Sequence, residues 1–329
     1  MTKTPRILVL GTGGTIAGAA ASATSAAYQP GGLSLDEMLG NLAALGLEAD
    51  LIPQDIARIG SQDIGWPQWQ ALHAACVGAL ADPAITGVII THGTDTAEET
   101  AFLLDLTLPA GKPIVLVGAM RPADAVGADG MRNFANAVRV VSDPAASGRG
   151  VLLVMGDAVL AARDARKAAT SSIDAFKSFP RGPIARVTPS GLDWFGPPHR
   201  LGEAACYSWP KALPRVAILT AGAGMDDQPV KALLGIGCRG VVLAGMGQGN
   251  APACVLAALA EAAASGVPVV RSTRVDEGIV DRNVEVDDET LGLVAARALG
   301  PAKARMLLMV LIANGITDVA RIQAAFDGG

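Results

Sequence analysis

The sequence predicts an α/β protein in two domains: a larger N-terminal, mostly parallel sheet flanked by helices, and a smaller C-terminal α/β domain. Three observations predict it. The chain has 329 residues, more than one hydrophobic core usually serves, and half of them are hydrophobic. Short apolar runs of strand length recur between segments of helical patterning, the alternation of α/β folds. Finally, residues 188–214 carry Pro189, Gly191, Gly196, Pro197, Pro198, Gly202, Pro210 and Pro214, which break any periodicity. We therefore expect a first domain over residues 1–190, a linker over 191–214 and a second domain over 215–329.

The first apolar run, residues 7–10, ends in a glycine-rich stretch, as a buried parallel strand does before its turn. Further strands are expected at residues 87–91, 114–117 and 151–155, then at 216–220, 241–244 and 268–271. A helix is expected over 97–108, where Thr96 and Glu99 have the spacing of a capping box. Another follows Pro252 over 253–264, and two more close the chain over 301–314 and 317–326.

Composition excludes several classes of function. Lys plus Arg number 26 against 31 Asp plus Glu, a net charge of −5 with no basic block, so a phosphate-backbone partner is not expected. Aromatic residues make up 4% of the chain, too few for base-stacking platforms. No apolar run approaches the ~20 residues that span a bilayer, which predicts a soluble protein. Residues 7–10 are too short for the apolar core of a signal peptide, so a cytoplasmic location is expected; a trimmed periplasmic form would read the same. Cys76, Cys206, Cys238 and Cys254 lack the spacing of a zinc site and are expected to be buried free thiols.

The chemistry-bearing segments follow the strands. Thr12-Gly13-Gly14-Thr15 sets two hydroxyls among glycines, whose bare backbone offers N–H groups to an anion or oxyanion. It fails the dinucleotide fingerprint, since Ile16 stands where the last glycine belongs, and it fails the P-loop, since no Lys-Ser/Thr follows Gly18. The residues alone leave open a plain strand–helix turn. Residues 19–28, mostly Ala and Ser, read as a mobile lid with Tyr28 near its tip, either a gate or a packing phenol.

Thr91-His92-Gly93-Thr94-Asp95-Thr96 lies between a strand end and a helix start, where α/β proteins bind ligands. Thr94 and Asp95 could meet a polar zwitterion or merely cap the helix, and His92 reads as hydrogen-bonded inside the fold. Ile59-Gly60-Ser61-Gln62-Asp63 is a third polar turn. Lys167, in Arg163-Asp164-Ala165-Arg166-Lys167, is a base if buried and part of a solvated charge cluster if not. In the second domain, Gly245-Met246-Gly247-Gln248-Gly249-Asn250 follows a strand, and Glu285-Val286-Asp287-Asp288 supplies carboxylates.

Together these segments resemble the bacterial-type L-asparaginases, and more closely their type II branch. The resemblance runs from TGGTIAG (12–18) through IGSQD (59–63), THGTDT (91–96), GAMRP (118–122), ADGMRN (128–133), RDARK (163–167), FKS (176–178) and VVRSTRV (269–275) to EVDD (285–288). It implies hydrolysis of L-asparagine to L-aspartate and ammonia, with no metal or cofactor, through an acyl-enzyme on a threonine. By position, Thr12 is the implied nucleophile and Tyr28 assists it. Thr94, Asp95 and Lys167 match a second cluster, in which lysine is the base and the aspartate holds the substrate's amino group. Ser61, Gln62 and Ala119 match substrate contacts. Asn250 and Glu285 match residues that a neighbouring subunit contributes within a homotetramer. Family members with a disulfide bring a second cysteine near the end of the 97–108 helix, where this chain has Ala110-Gly111 and only Cys76 remains, so that disulfide is not expected.

Two alternatives frame the expectation. A glutaminase-asparaginase differs by one methylene in the pocket, a difference of only ~1–3 kcal/mol. A non-catalytic amino-acid-binding protein would need none of Thr12, Tyr28 and Lys167.

Overall fold

The computed structural model describes residues 4–20, 28–29, 31–32, 34–43, 48–198 and 207–328. The chain divides into two compact units, Met1–Cys206 and Tyr207–Gly329. In the first, β1 (Arg6–Gly13) is followed by two-residue strands β2 (Ala19–Ala20) and β3 (Tyr28–Gln29), then α1 (Leu35–Ala43) and β4 (Asp50–Ile59). Next come α2 (Trp66–Ala81), β5 (Gly87–Thr91), α3 (Ala97–Thr107), β6 (Ile114–Val117), α4 (Gly130–Ser142) and β7 (Val151–Met155). The unit continues with β8 (Ala158–Ala161), β9 (Ala165–Lys167), β10 (Phe176–Ser178), β11 (Ala185–Thr188) and β12 (Gly191–Trp194).

Eight of these strands form one sheet in the order β12-β11-β8-β7-β6-β5-β1-β4. From β4 to β7 every pairing is parallel, and the remaining three strands run antiparallel to their neighbours. The central strands β5, β6 and β7 are buried along their whole length and almost wholly apolar, as parallel strands packed on both faces are, whereas the edge strand β4 is polar. Phe134, Ala137, Val138 and Val141 of α4 join Ile89, Val115, Val117, Leu152 and Val154 in one buried cluster. Truncating the fully buried Phe134 to Ala costs about 3–5 kcal/mol by transfer and cavity terms.

After β1 the chain moves to one side to make β4, then crosses to the other side to make β5. The direction of winding therefore reverses at β1, and the carboxyl ends of β1 and β5 flank the crevice where open α/β sheets bind ligands.

Gly191–Trp194, expected in the linker, is the edge strand of this sheet. It pairs with β11 from Ala185↔Trp194 to Thr188↔Gly191, and Pro189 and Ser190 make the turn, so the proline that broke the periodicity closes a hairpin. Trp194 fixes the edge: its indole N–H donates to Asp143 at 3.1 Å, and the Arg149 guanidinium lies 4.1 Å over its ring. Cys206 and the proposed lid residues 21–27 lie outside the described residues, and Tyr28 is described by its backbone alone, paired with Ala20.

The second unit comprises β13 (Val216–Thr220), α5 (Gln228–Gly235), β14 (Gly240–Gly245), α6 (Ala253–Ala264), β15 (Val269–Thr273), α7 (Asp288–Leu291), β16 (Val294–Ala295), α8 (Pro301–Ala313) and α9 (Val319–Asp327). Its four strands form a parallel sheet in sequence order. Val241, Leu243, Val255, Leu259 and Val269 are among the residues of its core. Cys76 and Cys238 are buried free thiols as expected, whereas Cys254 is exposed at the start of α6. No described helix is long and apolar enough to cross a membrane.

Candidate active site

Thr12 sits at a break in the β1–β4 ladder: Gly11 pairs with Asp55, but Gly13 pairs with Ile59, so two extra residues on β4 turn the end of β1 out of register. Only glycine fits the next two positions. Gly13 has φ +93°, and a Cβ there would lie 2.7 Å from Ile59 backbone; Gly14 has φ +77°, and its Cβ would lie 2.4 Å from Gly93 backbone. The loops after β1 and β5 are thereby packed backbone to backbone. The expectation of free glycine N–H groups fails at Gly14, whose N–H donates to Ile59 O at 3.0 Å. Thr12 is 2% exposed, and its hydroxyl donates to the Thr91 carbonyl on β5 at 2.9 Å. The two strands pair directly there, Gly11 opposite Thr91.

The loop after β5 presents Thr94 and Asp95. Lys167, on β9, donates from its ammonium to Thr94 Oγ1 at 2.9 Å and to Asp95 Oδ1 at 2.5 Å. Its side chain is 16% exposed, against 61% for Asp95, so the lysine is no member of a solvated cluster. The rest of that segment is held as firmly: Asp164 is buried and takes a two-pronged hydrogen bond from Arg181, at 2.7 and 2.8 Å. β10 pairs with β9, Phe176 opposite Lys167, and so holds the backbone that carries the lysine.

Ser61 and Gln62 open a single helical turn after β4. Thr96 does not cap α3 with its side chain; its hydroxyl donates to the Ser61 carbonyl at 2.7 Å, tying this turn to the β5 loop. Gly93 permits the approach, since a Cβ there would lie 2.7 Å from Ser61 Oγ. Gln62 is exposed, its amide donating to Asp63 at 3.2 Å. Ala119 is fully buried in a loop held by Asp129, whose carboxylate accepts the Met120 and Arg121 N–H groups at 3.0–3.1 Å, and by Asn133, which donates to Gly118 O at 2.9 Å. Asp129 and Asn133 lie in a segment of the resemblance, but sequence gave no sign of their work.

His92, as expected, is hydrogen-bonded inside the fold: it is fully buried, and its Nδ1 donates to Gly93 O at 2.7 Å. Desolvation pushes its pKa down to about 4, so the ring is neutral. Its Nε2 is buried without a partner.

In the second unit, the Asn250 amide donates to the Glu285 carboxylate, so two residues 35 apart in sequence meet. The three acidic residues of residues 285–288 divide their tasks. Asp287 caps α7 by accepting the Thr290 N–H at 3.0 Å, and Asp288 is fully buried against Arg271. Glu285, exposed like Asp287, is the one that meets Asn250. Among the described residues, no three of His, Cys, Asp and Glu converge as metal ligands would.

Comparison with known proteins covers nearly the whole chain. Residues 6–200 match the family described as "Asparaginase, N-terminal", and residues 215–326 match "Glutaminase/Asparaginase C-terminal domain". The chain is 41% identical to the probable periplasmic L-asparaginase of Haemophilus influenzae and 40% identical to L-asparaginase 2 of Escherichia coli, in each case over 98% of this chain and 93% of the relative. A crystal structure of the probable cytoplasmic L-asparaginase of Campylobacter jejuni superposes with a TM-score of 0.91 at 35% identity, covering 99% of this chain and all of that one. With both units matched, the chain belongs to the asparaginase family.

Proposed function

We propose that the protein hydrolyses L-asparagine to L-aspartate and ammonia through an acyl-enzyme on Thr12. The observation that carries this is the pairing of two polar groups at adjoining strand ends: a buried threonine hydroxyl on β1 and the Asp95–Lys167–Thr94 chain after β5. A threonine hydroxyl attacks an amide only if a base takes its proton, and a lysine held against a second hydroxyl supplies such a base. The substrate's ammonium, drawn to the Asp95 carboxylate, loosens the Lys167–Asp95 pair; Lys167 gives up one proton to solvent, and its amine then takes the Thr12 proton through Thr94. Thr12 Oγ then bonds to the side-chain amide carbon, the C–N bond breaks as nitrogen takes up the proton, and ammonia leaves. Water repeats the attack on the ester and releases aspartate.

In this assignment Tyr28 assists Thr12, Ser61 and Gln62 bind the α-carboxylate and amine, and Ala119 contacts the substrate from its clamped loop. Asn250 and Glu285 complete the site from a neighbouring subunit of a homotetramer. Glutamine, one methylene longer, is expected to turn over more slowly, since such a difference is worth ~1–3 kcal/mol. The test is ammonia release from L-Asn, L-Gln and D-Asn by the wild type and Thr12→Ala, with L-Asn binding followed by calorimetry. Binding without turnover in Thr12→Ala supports the assignment; full activity in that variant, or no ammonia from the wild type, overturns it.

A further inference from the structure

Among the described residues Arg271 is the largest fully buried side chain, and its burial is not explained by the chemistry above. It lies on β15, paired with Leu243, in the interior of the second unit's sheet. Arg271 and Asp288 are 1% and 0% exposed, and the carboxylate takes both prongs of the guanidinium, from Nε at 2.7 Å and from Nη2 at 2.6 Å. A buried ion pair is weak evidence for stability, because desolvating both charges offsets most of their attraction. Its remaining hydrogen bonds indicate a more specific use.

The remaining donors of Arg271 reach two loops. Nη1 donates to the carbonyl of Gln248, in the turn that ends at Asn250, and Nη2 donates to the carbonyl of Asp281 at 2.8 Å, in the loop that leads to Glu285. Asp288 extends the same grip, accepting the Asn283 N–H at 3.0 Å. The first loop is otherwise a tight return: Met246 and Asn250 exchange both backbone hydrogen bonds at 2.7 Å, and Thr273 donates to Gly247 O at 2.6 Å. Gly249, at φ +82°, lies so close to the arginine that a Cβ would sit 2.9 Å from Arg271 Cγ. The loops also meet through Gln248 Oε1, which accepts the Asp281 N–H at 3.3 Å. The hydrogen bonds of Arg271 and Asp288 go to the loop backbones and not to the Asn250 or Glu285 side chains, so both supporting backbones hang from the pair.

We propose that the buried Arg271–Asp288 pair is a positioning device that fixes the Asn250–Glu285 pair, and that discrimination between asparagine and glutamine depends on it. The proposal rests on the assignment of Asn250 and Glu285 to substrate binding. A fork with fixed donor angles can hold a carboxylate and two carbonyls at once, whereas an ammonium cannot reproduce that geometry. Loosening the two loops leaves room for an added methylene and weakens the grip on the substrate, without altering Thr12, Thr94 or Lys167.

The test is steady-state kinetics of the assembled enzyme for Arg271→Lys and Asp288→Asn, with Asn250→Ala and Glu285→Ala in parallel. For the first two variants we expect KM for asparagine to rise ~10-fold or more, kcat to change less than ~3-fold, and the asparagine-to-glutamine ratio of kcat/KM to narrow several-fold. A double variant, Arg271→Met with Asp288→Leu, separates positioning from stability, because an apolar pair of similar volume commonly restores folding. It is expected to recover the melting temperature but keep the raised KM, and it provides the measurement should either single variant fail to fold. If Asn250→Ala and Glu285→Ala raise KM while the Arg271 and Asp288 variants keep wild-type KM and selectivity, the positioning proposal is overturned. If Asn250→Ala and Glu285→Ala themselves leave KM unchanged, the substrate-binding assignment falls instead, and the positioning proposal with it.

Discussion

A threonine hydroxyl is a weak nucleophile at neutral pH, so the groups that surround Thr12 matter as much as the threonine itself. Lys167 contributes by a short pair of hydrogen bonds to Thr94 and Asp95, in a place where only a sixth of its side chain meets solvent. Lys167→Met keeps the length and loses the proton; we expect kcat to fall by about 10²–10⁴-fold with the melting temperature little changed. Near-normal kcat in a folded Lys167→Met enzyme would remove the lysine from the mechanism. His92 has a different role, that of a neutral, fully buried group. The unfolded chain protonates it near pH 6.5, whereas the fold holds it neutral down to about 4, so the unfolded state binds more protons between those values. Stability should therefore fall as pH drops from 6.5 toward 4, by up to ~3 kcal/mol from this residue. His73, also shifted down by burial, adds in the same direction. Urea melts at several pH values for wild type and His92→Gln check this: the variant should lose much of the slope in that window, and an unchanged slope would refute it.

At the scale of elements, the site is built from strand ends brought together by glycines. Gly14 has φ +77° and ψ −170°, a region essentially reserved for glycine, and rests on the Gly93 backbone. Gly14→Ala combines backbone strain of ~1–3 kcal/mol with overpacking of similar size, so we expect a loss of about 2–6 kcal/mol and loss of activity from displaced loops. Thermal melts and turnover check it; wild-type stability in Gly14→Ala would mean that the two loops separate freely. The parallel strands were legible because each is an uninterrupted apolar run ending in a polar turn, as at Gly87–Thr91 and Ile114–Val117. β4 was not, because this edge strand carries Asp50, Gln54, Asp55 and Arg58 and lacks an apolar pattern. β12 was hidden for another reason: its turn uses a proline that sequence alone reads as a breaker. Thr96 has the spacing of a capping box, yet its hydroxyl is used across the fold on Ser61, a contact that local pattern cannot reveal. The union of Asn250 with Glu285 came from resemblance, and the Arg271–Asp288 grip beneath it had no local signature.

For the molecule as a whole, the residues assigned by resemblance fall in both units: Thr12, Thr94 and Lys167 in the first, Asn250 and Glu285 in the second. If a neighbouring subunit supplies the second set, no single subunit makes a complete site, and activity follows association. Subunit mixing decides this. Thr12→Ala lacks the nucleophile, and Glu285→Ala lacks the carboxylate that steadies Asn250, so each parent is expected to be strongly impaired. In a two-fold pair made of one of each, one site combines both defects while the other joins an intact Thr12 to an intact Glu285. Random exchange makes about half of the pairs mixed, with one good site in two, so activity should return to roughly a quarter of wild type. Exchange is verified by mass-tagged subunits. If Glu285 serves its own subunit, every site in the mixture keeps one defect, and activity stays at the parents' residual level however completely the subunits exchange.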